Sequence, residues 1–437
     1  MLLGAMRQKQ MLRCLVPLLG LALLAIFAAL YIIDRKLYYP ALGSVEGIRP
    51  YKYPFLDWDY IGAGVKCWRD GINVYVVNPC DVLRRTFNYS PLWLRLGFIP
   101  TGKSWTRPIG LGLVIGYLIS VYRLVKPVNR QELIVFALAC TSPMVFFLLE
   151  RGNVDIIIFI MLVAVGTLSS GPPTSRAFSY ALMLLAGLLK FYPLVVLWTA
   201  LRERPRMFLA VAAGAGLIVF GFFYRFRADL AAALGNLPNG GFGSVNLPFD
   251  GTGYALQLFP GLGQFAWIAM LPRVIMMVLL IITVAQVVHL TRDRNLVSAF
   301  ERLPERDAIF LIIGAAVIAG CFFTGVSNGY RGVHLIFVVT GLMAMRRIAD
   351  ASATRAMLDQ TLIVILILMW ETLLRQALPH QIPGPGLPGA PLLASALFWF
   401  IREILWWRLA AVLLALLAIF GVKSELFRAL RQQRRIA

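Results

Sequence analysis

The sequence predicts an all-α integral membrane protein that crosses the bilayer many times. Hydrophobic residues make up 59% of the 437 residues, and charged residues only 14%. The apolar residues form long continuous runs, and roughly 20 such residues suffice for a helix to span the hydrocarbon core. Because the runs do not alternate with polar residues, they favour helices over the strands of a membrane barrel.

The apolar runs define the candidate membrane spans. We expect these spans at residues 12–33, 107–125, 131–149, 154–170, 177–200, 207–224, 267–290, 307–325, 332–345, 357–374 and 393–420. The first run follows a short basic segment, as in a secretory signal peptide. It lacks a small-residue cleavage site and is long, so we expect a retained anchor.

Positive charge divides the connections between spans into two groups. The basic connections are 1–13, 123–130, Arg176, 202–206, 292–306, 346–355 and 423–435. The positive-inside rule places all of them, and both termini, in the cytoplasm. The formal net charge of +21 is therefore spread over short connections, which favours contact with anionic lipids over nucleic-acid binding.

One apolar run has to reverse direction under this assignment. Arg176 and Arg202 flank residues 177–200, and both are expected on the cytoplasmic side. Pro193 follows Lys190 closely and interrupts a helix. The sequence therefore predicts a hairpin with Lys190 at its outer tip, and 11 or 12 spans in total.

The remaining connections are expected on the outer face. The first is the long loop 34–106, and the second is the loop 225–266, whose segment 235–253 is rich in Gly, Asn and Pro and is expected to be mobile or a lid. A short turn at 328–331 and a Pro/Gly-rich segment at 376–392 complete this face.

Two acidic residues in the first outer loop are unusual in this chain. Only 21 of 437 residues are Asp or Glu, yet Asp57 and Asp59 are one residue apart. Such a pair can take a proton or hold a metal ion. The alternative is capping of a following helix, expected at 59–70 with Gly71 as its stop, which needs only one acid.

Further ionisable and polar residues are expected on the same face. Charged groups at the edges of spans are costly and are candidates for function. For Arg151 the alternative is a structural ion pair with its surroundings, and for Lys190 it is extension of the ammonium to the membrane surface. The candidates are Arg151, Asn153, Asp155, Lys190, Arg331 and His334.

The cysteines show no metal-binding spacing. Cys14, Cys140 and Cys321 lie in apolar runs and are expected to be packing residues. Cys67 and Cys80 share the first outer loop, where a disulfide is one alternative and two free thiols are the other.

The order of several short motifs resembles that in glycosyltransferases of the GT-C fold, which use polyprenyl-phosphate sugars. The similarity extends to glycosyltransferase family 87 with its DUF2029 relatives and to the glycosylphosphatidylinositol mannosyltransferases. The motifs are Asp57-Trp58-Asp59-Tyr60, Gly71-Ile72-Asn73-Val74-Tyr75, Tyr89-Ser90-Pro91, Arg151-Gly152-Asn153 with Asp155, Lys190-Phe191-Tyr192-Pro193, and Asn328-Gly329-Tyr330-Arg331 with His334.

The resemblance implies one transmembrane glycosyltransferase domain over residues 1–437. Its reaction would be inverting transfer of a hexose, foremost mannose, from a polyprenyl phosphate to a lipid or glycan hydroxyl at the periplasmic face of a bacterial inner membrane. Asp57 or Asp59 would be the base. The donor phosphate would meet Arg331, His334, Lys190 and Arg151, and the substrates would meet Tyr60, Tyr89, Asn153, Asp155, Tyr192 and Tyr330.

No cofactor is expected, because cations of the protein can neutralise a monophosphate leaving group. A divalent metal at Asp57 and Asp59 is the less favoured alternative. The expected partners are the polyprenyl-phosphate sugar, the acceptor and membrane lipids, without nucleic acid. The sequence lacks a Walker loop and a dinucleotide-binding glycine fingerprint.

Two other functions remain open at this point. A transporter or lipid flippase predicts polar residues at the bilayer midplane and an internal repeat, and apart from the break at Lys190 the sequence has neither. A polymerase or ligase acting on diphosphate-linked glycans predicts a large outer loop late in the chain. Here the largest outer loop is the first.

Overall fold

A computed structural model describes residues 2–46, 53–237, 266–323, 329–377 and 390–436. Every regular element within these ranges is a helix, which confirms the all-α prediction. The first elements are α1 (Leu2–Ile33), α2 (Arg35–Glu46), α3 (Leu56–Arg69), α4 (Pro91–Arg95), α5 (Lys103–Leu124), α6 (Arg130–Cys140), α7 (Pro143–Arg151), α8 (Asp155–Ser169), α9 (Pro173–Lys190), the 3-10 helix η1 (Tyr192–Arg202), α10 (Pro205–Arg225) and α11 (Arg227–Gly235). The later elements are α12 (Ala266–Arg292), α13 (Arg294–Glu301), α14 (Glu305–Phe323), the 3-10 helix η2 (Gly329–His334), α15 (Leu335–Ile348), α16 (Ser352–Met369), α17 (Glu371–Ala377), α18 (Ala390–Lys423) and α19 (Glu425–Ile436).

Seven helical segments among the described residues are long and apolar enough to cross a membrane. Helices α6 and α7 meet at a 45° bend and together also qualify, which raises the number to eight. This composition is that of a helical membrane protein with several spans. The seven segments are Gln10–Ile33, Lys103–Leu124, Pro205–Arg225, Arg273–Arg292, Glu305–Phe323, Ser352–Met369 and Ala396–Lys423.

Three of the predicted spans take other forms. The run 154–170 forms α8, whose 15 residues extend about 22 Å, less than the hydrocarbon core. The run 332–345 starts in η2 and continues as α15, which has 14 residues. The run 177–200 is divided between α9 and η1. The total of 11 or 12 crossings therefore stays a prediction.

The reversal predicted near Lys190 is confirmed. Helix α9 ends at this residue, and Phe191 has a φ of 49° before η1 begins. At the far end of the reversal, Glu203 Oε1 lies 3.0 Å from Arg176 Nε and accepts a hydrogen bond from the Tyr180 hydroxyl at 2.9 Å. The end of η1 therefore lies beside the start of α9.

The chain divides into two compact units. Unit 1 comprises residues 1–50, 125–147 and 242–419, and unit 2 comprises residues 51–124, 148–241 and 420–437. The acidic pair belongs to unit 2. The interpretation of 1–437 as one functional domain stays a prediction.

The core of unit 1 includes a close pairing of α14 with α15. A Cβ atom added to Gly314 would lie 2.8 Å from Phe337 Cβ, so only glycine permits this approach. The rings of Phe310 and Phe337 stack with centroids 5.8 Å apart. Small residues commonly allow helices to approach closely within membranes.

Unit 1 also contains two bidentate ion pairs between helices. Arg402 donates from Nε and Nη2 to the two carboxylate oxygens of Glu371, at 2.7 and 2.9 Å, and joins α18 to α17. Arg347 Nε donates to Glu132 Oε1 at 2.7 Å and joins α15 to α6. Each pair matches one cation with one carboxylate.

Several predictions concern residues outside the described ranges. These are most of the segment 235–253, Asn328 of the outer turn, and most of the segment 376–392.

Candidate functional site

The acidic pair lies in the first turn of α3. This helix begins at Leu56, three residues earlier than predicted, and ends at Arg69. Gly71 follows with a φ of 80°, the left-handed conformation expected for a helix stop. The N-cap residue is Phe55, and no side chain caps this end. The capping interpretation of the two acids is therefore wrong.

The start of α3 is fixed against the corner after α7. The backbone N–H of Phe55 donates to the carbonyl of Glu150 at 2.6 Å. Gly152 has a φ of 56°, and a Cβ atom at this position would lie 3.2 Å from Phe55 Cα. Glycine thus meets both a conformational and a steric requirement here. The close approach sets Asp57 opposite Arg151.

Asp57 is the centre of a buried polar network. Its Oδ1 lies 2.9 Å from Arg151 Nη2 and 3.4 Å from Arg85 Nη1, and its Oδ2 accepts from Asn153 Nδ2 at 2.8 Å. Burial alone raises the pKa of the Asp57 carboxyl. The charges of Arg151 and Arg85 and the Asn153 amide outweigh burial and hold this pKa below its ordinary value. Asp57 is therefore a carboxylate throughout the neutral pH range.

Asp59 has neutral partners instead. The Thr106 hydroxyl, near the start of α5, donates to its Oδ1 at 2.7 Å, and the Tyr53 hydroxyl donates to its Oδ2 at 2.6 Å. No ion pair to Asp59 occurs within the described ranges. The two carboxylates thus have different environments within one helical turn. Asp57 is surrounded by cations and an amide, and Asp59 by hydroxyl groups.

Arg85 reaches Asp57 from the segment that follows a disulfide-closed loop. Arg85 Nε and Nη2 each lie 3.0 Å from a carboxylate oxygen of Asp81. Asp81 directly follows Cys80, which is bonded to Cys67 of α3. Of the two alternatives for these cysteines, the structure therefore contains the disulfide. The disulfide and the ion pair of Arg85 with Asp57 together hold residues 80–85 beside α3.

A second carboxylate and a lysine extend the network. Lys190 Nζ lies 2.8 Å from Asp155 Oδ2 and donates to Asn153 Oδ1 at 3.1 Å. The Tyr192 hydroxyl donates to Asp155 Oδ1 at 2.8 Å. Asn153 Nδ2 donates to Asp57, so Asn153 and Lys190 together connect the Asp57 and Asp155 carboxylates. The buried ammonium rules out the alternative in which Lys190 extends to the membrane surface.

Aromatic rings cover one side of these cations. Arg85 Cζ lies 4.3 Å from the ring centroid of Tyr60, and Lys190 Nζ lies 5.3 Å from that of Tyr89. The two rings are 5.8 Å apart. The Tyr60 hydroxyl donates to the Thr86 carbonyl at 2.6 Å. Burial raises the pKa of this hydroxyl far above its ordinary value, so it stays protonated.

Nine of the twelve predicted site residues lie in unit 2. The contacts above involve all of them, although Asp59 has its own partners. The nine are Asp57, Asp59, Tyr60, Tyr89, Arg151, Asn153, Asp155, Lys190 and Tyr192.

The other three predicted residues, Tyr330, Arg331 and His334, lie in η2 of unit 1. Arg331 and His334 are three residues apart, and such positions eclipse one another in a 3-10 helix. The His334 ring is buried and stacks on Phe337 with centroids 6.1 Å apart. Contact of these residues with a donor phosphate stays a prediction.

The cations of the unit 2 site differ in their exposure. The side chain of Arg151 is 8% exposed and that of Lys190 is 9% exposed, and each is ion-paired with a buried aspartate. The Arg85 side chain is 29% exposed. A ligand phosphate can reach Arg85 with less displacement of protein groups than it needs to reach the other two.

The sequence interpretation missed Tyr53, Arg85 and Thr106. Arg85 follows Arg84, which is exposed, and apart from its spacing to Asp81 nothing in the sequence distinguishes Arg85 from Arg84. The spacing of Asp81 and Arg85 was the one available signal, although these residues form an ion pair in a loop and not along a helix.

Metal binding at the site is less favoured by its contacts. Both Asp57 oxygens already accept from protein donors. No group of three His, Cys, Asp or Glu residues arranged for a metal ion occurs in the described part of the chain. The expectation that no cofactor is required stays a prediction.

Comparisons with known proteins do not extend this description. No protein-family model matches the chain, and neither a curated protein nor a solved structure matches it.

Proposed function

We propose that the protein is an inverting glycosyltransferase of the bacterial inner membrane. It transfers a hexose, foremost mannose, from a polyprenyl phosphate to a lipid or glycan hydroxyl at the periplasmic face. The observation that carries the proposal is the pair of buried carboxylates in one helical turn, Asp57 between cations and Asp59 between hydroxyls.

The reaction needs one base and a way to stabilise a leaving phosphate. The acceptor oxygen attacks C1 of the sugar while the bond from C1 to the phosphate oxygen breaks, and the polyprenyl phosphate leaves with the electron pair. The acceptor proton passes to a carboxylate of the acidic pair. Attack from the side opposite the phosphate inverts the configuration at C1.

The contacts suggest distinct properties for the two acids. Asp57 is oriented by Arg151 and Asn153 and stays ionised, so it is always able to accept a proton but has low proton affinity. Asp59 is hydrogen-bonded by Thr106 and Tyr53, which leaves it without a neighbouring cation among the described residues. Either acid can serve as the base, and kinetics of single variants distinguish them.

Phosphate stabilisation in this proposal comes from Arg85 in addition to Lys190 and Arg151, two of the residues that the sequence indicates and that lie in the same unit. Arg85 is included because of its partial exposure beside Asp57. Tyr60 and Tyr89 would contact the sugar or the prenyl chain, and Asn153, Asp155 and Tyr192 would hold the cations in place.

The test uses the full chain in liposomes with radiolabelled polyprenyl-phosphate mannose and a bacterial lipid extract as the source of acceptor. We expect Asp57→Asn or Asp59→Asn to slow conversion of the donor to polyprenyl phosphate by roughly 10²- to 10⁴-fold, the usual loss when a general base is removed. Asp70→Asn, at the exposed end of α3, is the matched control and should retain activity.

If both Asn variants keep wild-type turnover, the base assignment is wrong. If the labelled lipid moves across the bilayer without forming a covalent product, the protein is a flippase and the proposal fails.

A further inference from the structure

The opposite end of the α9–η1 hairpin carries a second charged cluster. Helix α9 has 18 residues and is about 27 Å long, close to the thickness of the hydrocarbon core. Lys190 and the acidic network lie at one end. Arg176, Arg202 and Glu203 lie at the other end.

Two arginines share one carboxylate oxygen in this cluster. Glu203 Oε1 lies 3.0 Å from Arg176 Nε and 3.5 Å from Arg202 Nε. It also accepts from the Tyr180 hydroxyl at 2.9 Å. Arg202 Nη2 donates to the Ser169 carbonyl at 2.6 Å, which fixes its guanidinium against the end of α8.

Among the described residues, this cluster brings more arginines than carboxylates together. Two guanidinium groups converge on one carboxylate, and Arg204 and Arg206 follow at exposed positions in the next few residues. Like charges that are held together repel one another, and a second anion removes this repulsion. A purely structural ion pair needs only one of these arginines.

The cluster is accessible to a ligand. The side chain of Arg176 is 30% exposed and that of Arg202 is 14% exposed, whereas the Glu203 side chain is 6% exposed. The carboxylate is therefore covered while the guanidinium groups reach the surface. Planar guanidinium groups bind phosphate oxygens in bidentate fashion.

We infer that Arg176 and Arg202 form a binding site for the phosphate group of an anionic lipid. Glu203 holds the two guanidinium groups in place, and Arg204 and Arg206 add attraction for the headgroup. The site lies at the end of α9 remote from the acidic network. It does not depend on the proposed glycosyl transfer, because lipid retention and turnover are measured separately.

The experiment uses the full chain in nanodiscs that contain either phosphatidylglycerol or phosphatidylcholine, followed by native mass spectrometry. We expect the wild-type protein to retain phosphatidylglycerol, and Arg176→Gln to weaken this retention about fivefold, the usual contribution of one basic residue near an anionic headgroup. Arg225→Gln is the matched control. It removes the same charge from an exposed position at the other end of α10 and should retain the lipid like the wild type.

Glu203→Gln provides the second arm. The Gln oxygen can still accept from the two guanidinium groups and keep them in place, while the competing negative charge is gone, so the folded variant should retain at least as much phosphatidylglycerol as the wild type. Equal loss of lipid in Glu203→Gln and Arg176→Gln would overturn the inference, as would unchanged retention in Arg176→Gln.

Competition identifies the source of the phosphate group. Displacement of the lipid by inorganic phosphate at constant ionic strength would show that the phosphate group alone suffices. Retention of the lipid under these conditions would show that the glycerol backbone or acyl chains contribute.

Discussion

The two units of the molecule bury charge in different ways. In unit 1, Glu371 and Glu132 each face one arginine in a bidentate pair that joins two helices. In unit 2, Asp57 contacts two arginines, and the Asn153 amide connects it to the Asp155 carboxylate through Lys190. One-to-one pairs are complete without a ligand. A shared network can change partners when a substrate arrives, and this difference supports the assignment of chemistry to unit 2.

The largest effect that tests this comparison is the loss of turnover in the Asp57 and Asp59 variants described above. A rate loss with preserved thermal stability would sharpen the comparison. A loss of folding without any specific kinetic effect would instead make the unit 2 network structural, like the pairs in unit 1.

The next effect concerns the stability of unit 1. Arg402→Met leaves the Glu371 carboxylate buried without its guanidinium partner, and we expect unfolding to become easier by about 3–5 kcal/mol. Turnover per folded molecule should stay unchanged. Thermal unfolding in detergent, with activity normalised to the folded fraction, measures both quantities.

The double variant Arg402→Met with Glu371→Leu is the control, because it removes both charges. It should recover most of the lost stability. If it is as unstable as the single variant, the arginine stabilises the fold through packing and not by pairing with the carboxylate.

A smaller effect distinguishes the two acids. Thr106→Val removes one hydrogen bond to Asp59, which we expect to cost about 0.5–1.5 kcal/mol of stability. The carboxylate also loses one of the two hydroxyl groups that orient it. If Asp59 is the base, kcat/KM should fall roughly tenfold, which corresponds to a loss of about 1.4 kcal/mol of transition-state stabilisation.

The matched measurement is kcat/KM of Thr141→Val, which should equal the wild-type value. The Thr141 hydroxyl donates only to the Ala137 carbonyl among the described residues, so this variant removes a similar bond in unit 1. An unchanged kcat/KM in Thr106→Val would argue against Asp59 as the base.

The smallest effect concerns pH and Asp57. Because its pKa is lowered in the folded protein, the stability that its ion pairs provide is fully present above the unfolded value of about 3.9 and is lost as the pH falls through the lower folded value. Between pH 5 and 8 we therefore expect no Asp57-dependent change in thermal stability. A stability loss between pH 6 and 5 in the wild type that Asp57→Asn abolishes would contradict the assignment of its lowered pKa.

The sequence predicts those features that depend on local composition. Apolar runs determine the long helices, Pro193 marks the break after Lys190, and Gly71 marks the end of α3, since each depends on backbone or side-chain properties of a few neighbouring residues. Nine of the predicted site residues also lie in one unit. The short motifs that contain them could be recognised in the sequence without knowledge of the fold.

The sequence does not reveal the hydrogen-bond and ion-pair partners of these residues. Arg85 contacts Asp57 from a segment that begins at Cys80, which is bonded to Cys67 of α3, and this geometry arises only in the folded chain. Arg402 and Glu371 are 31 residues apart, so no local pattern connects them. Nothing in the sequence around Thr106 marks it as a site residue, because it meets Asp59 only when α5 packs beside α3.

The disulfide between Cys67 and Cys80 also indicates the kind of compartment in which this loop folds. Such bonds persist in oxidising compartments and are rare in the cytosol. In intact cells, a membrane-impermeant thiol reagent should label these cysteines only after an impermeant reductant has been applied from outside. Protein produced in a reducing system should have the same long helices but a loop at 81–85 that is not held beside α3, so activity assays should begin with a count of free thiols.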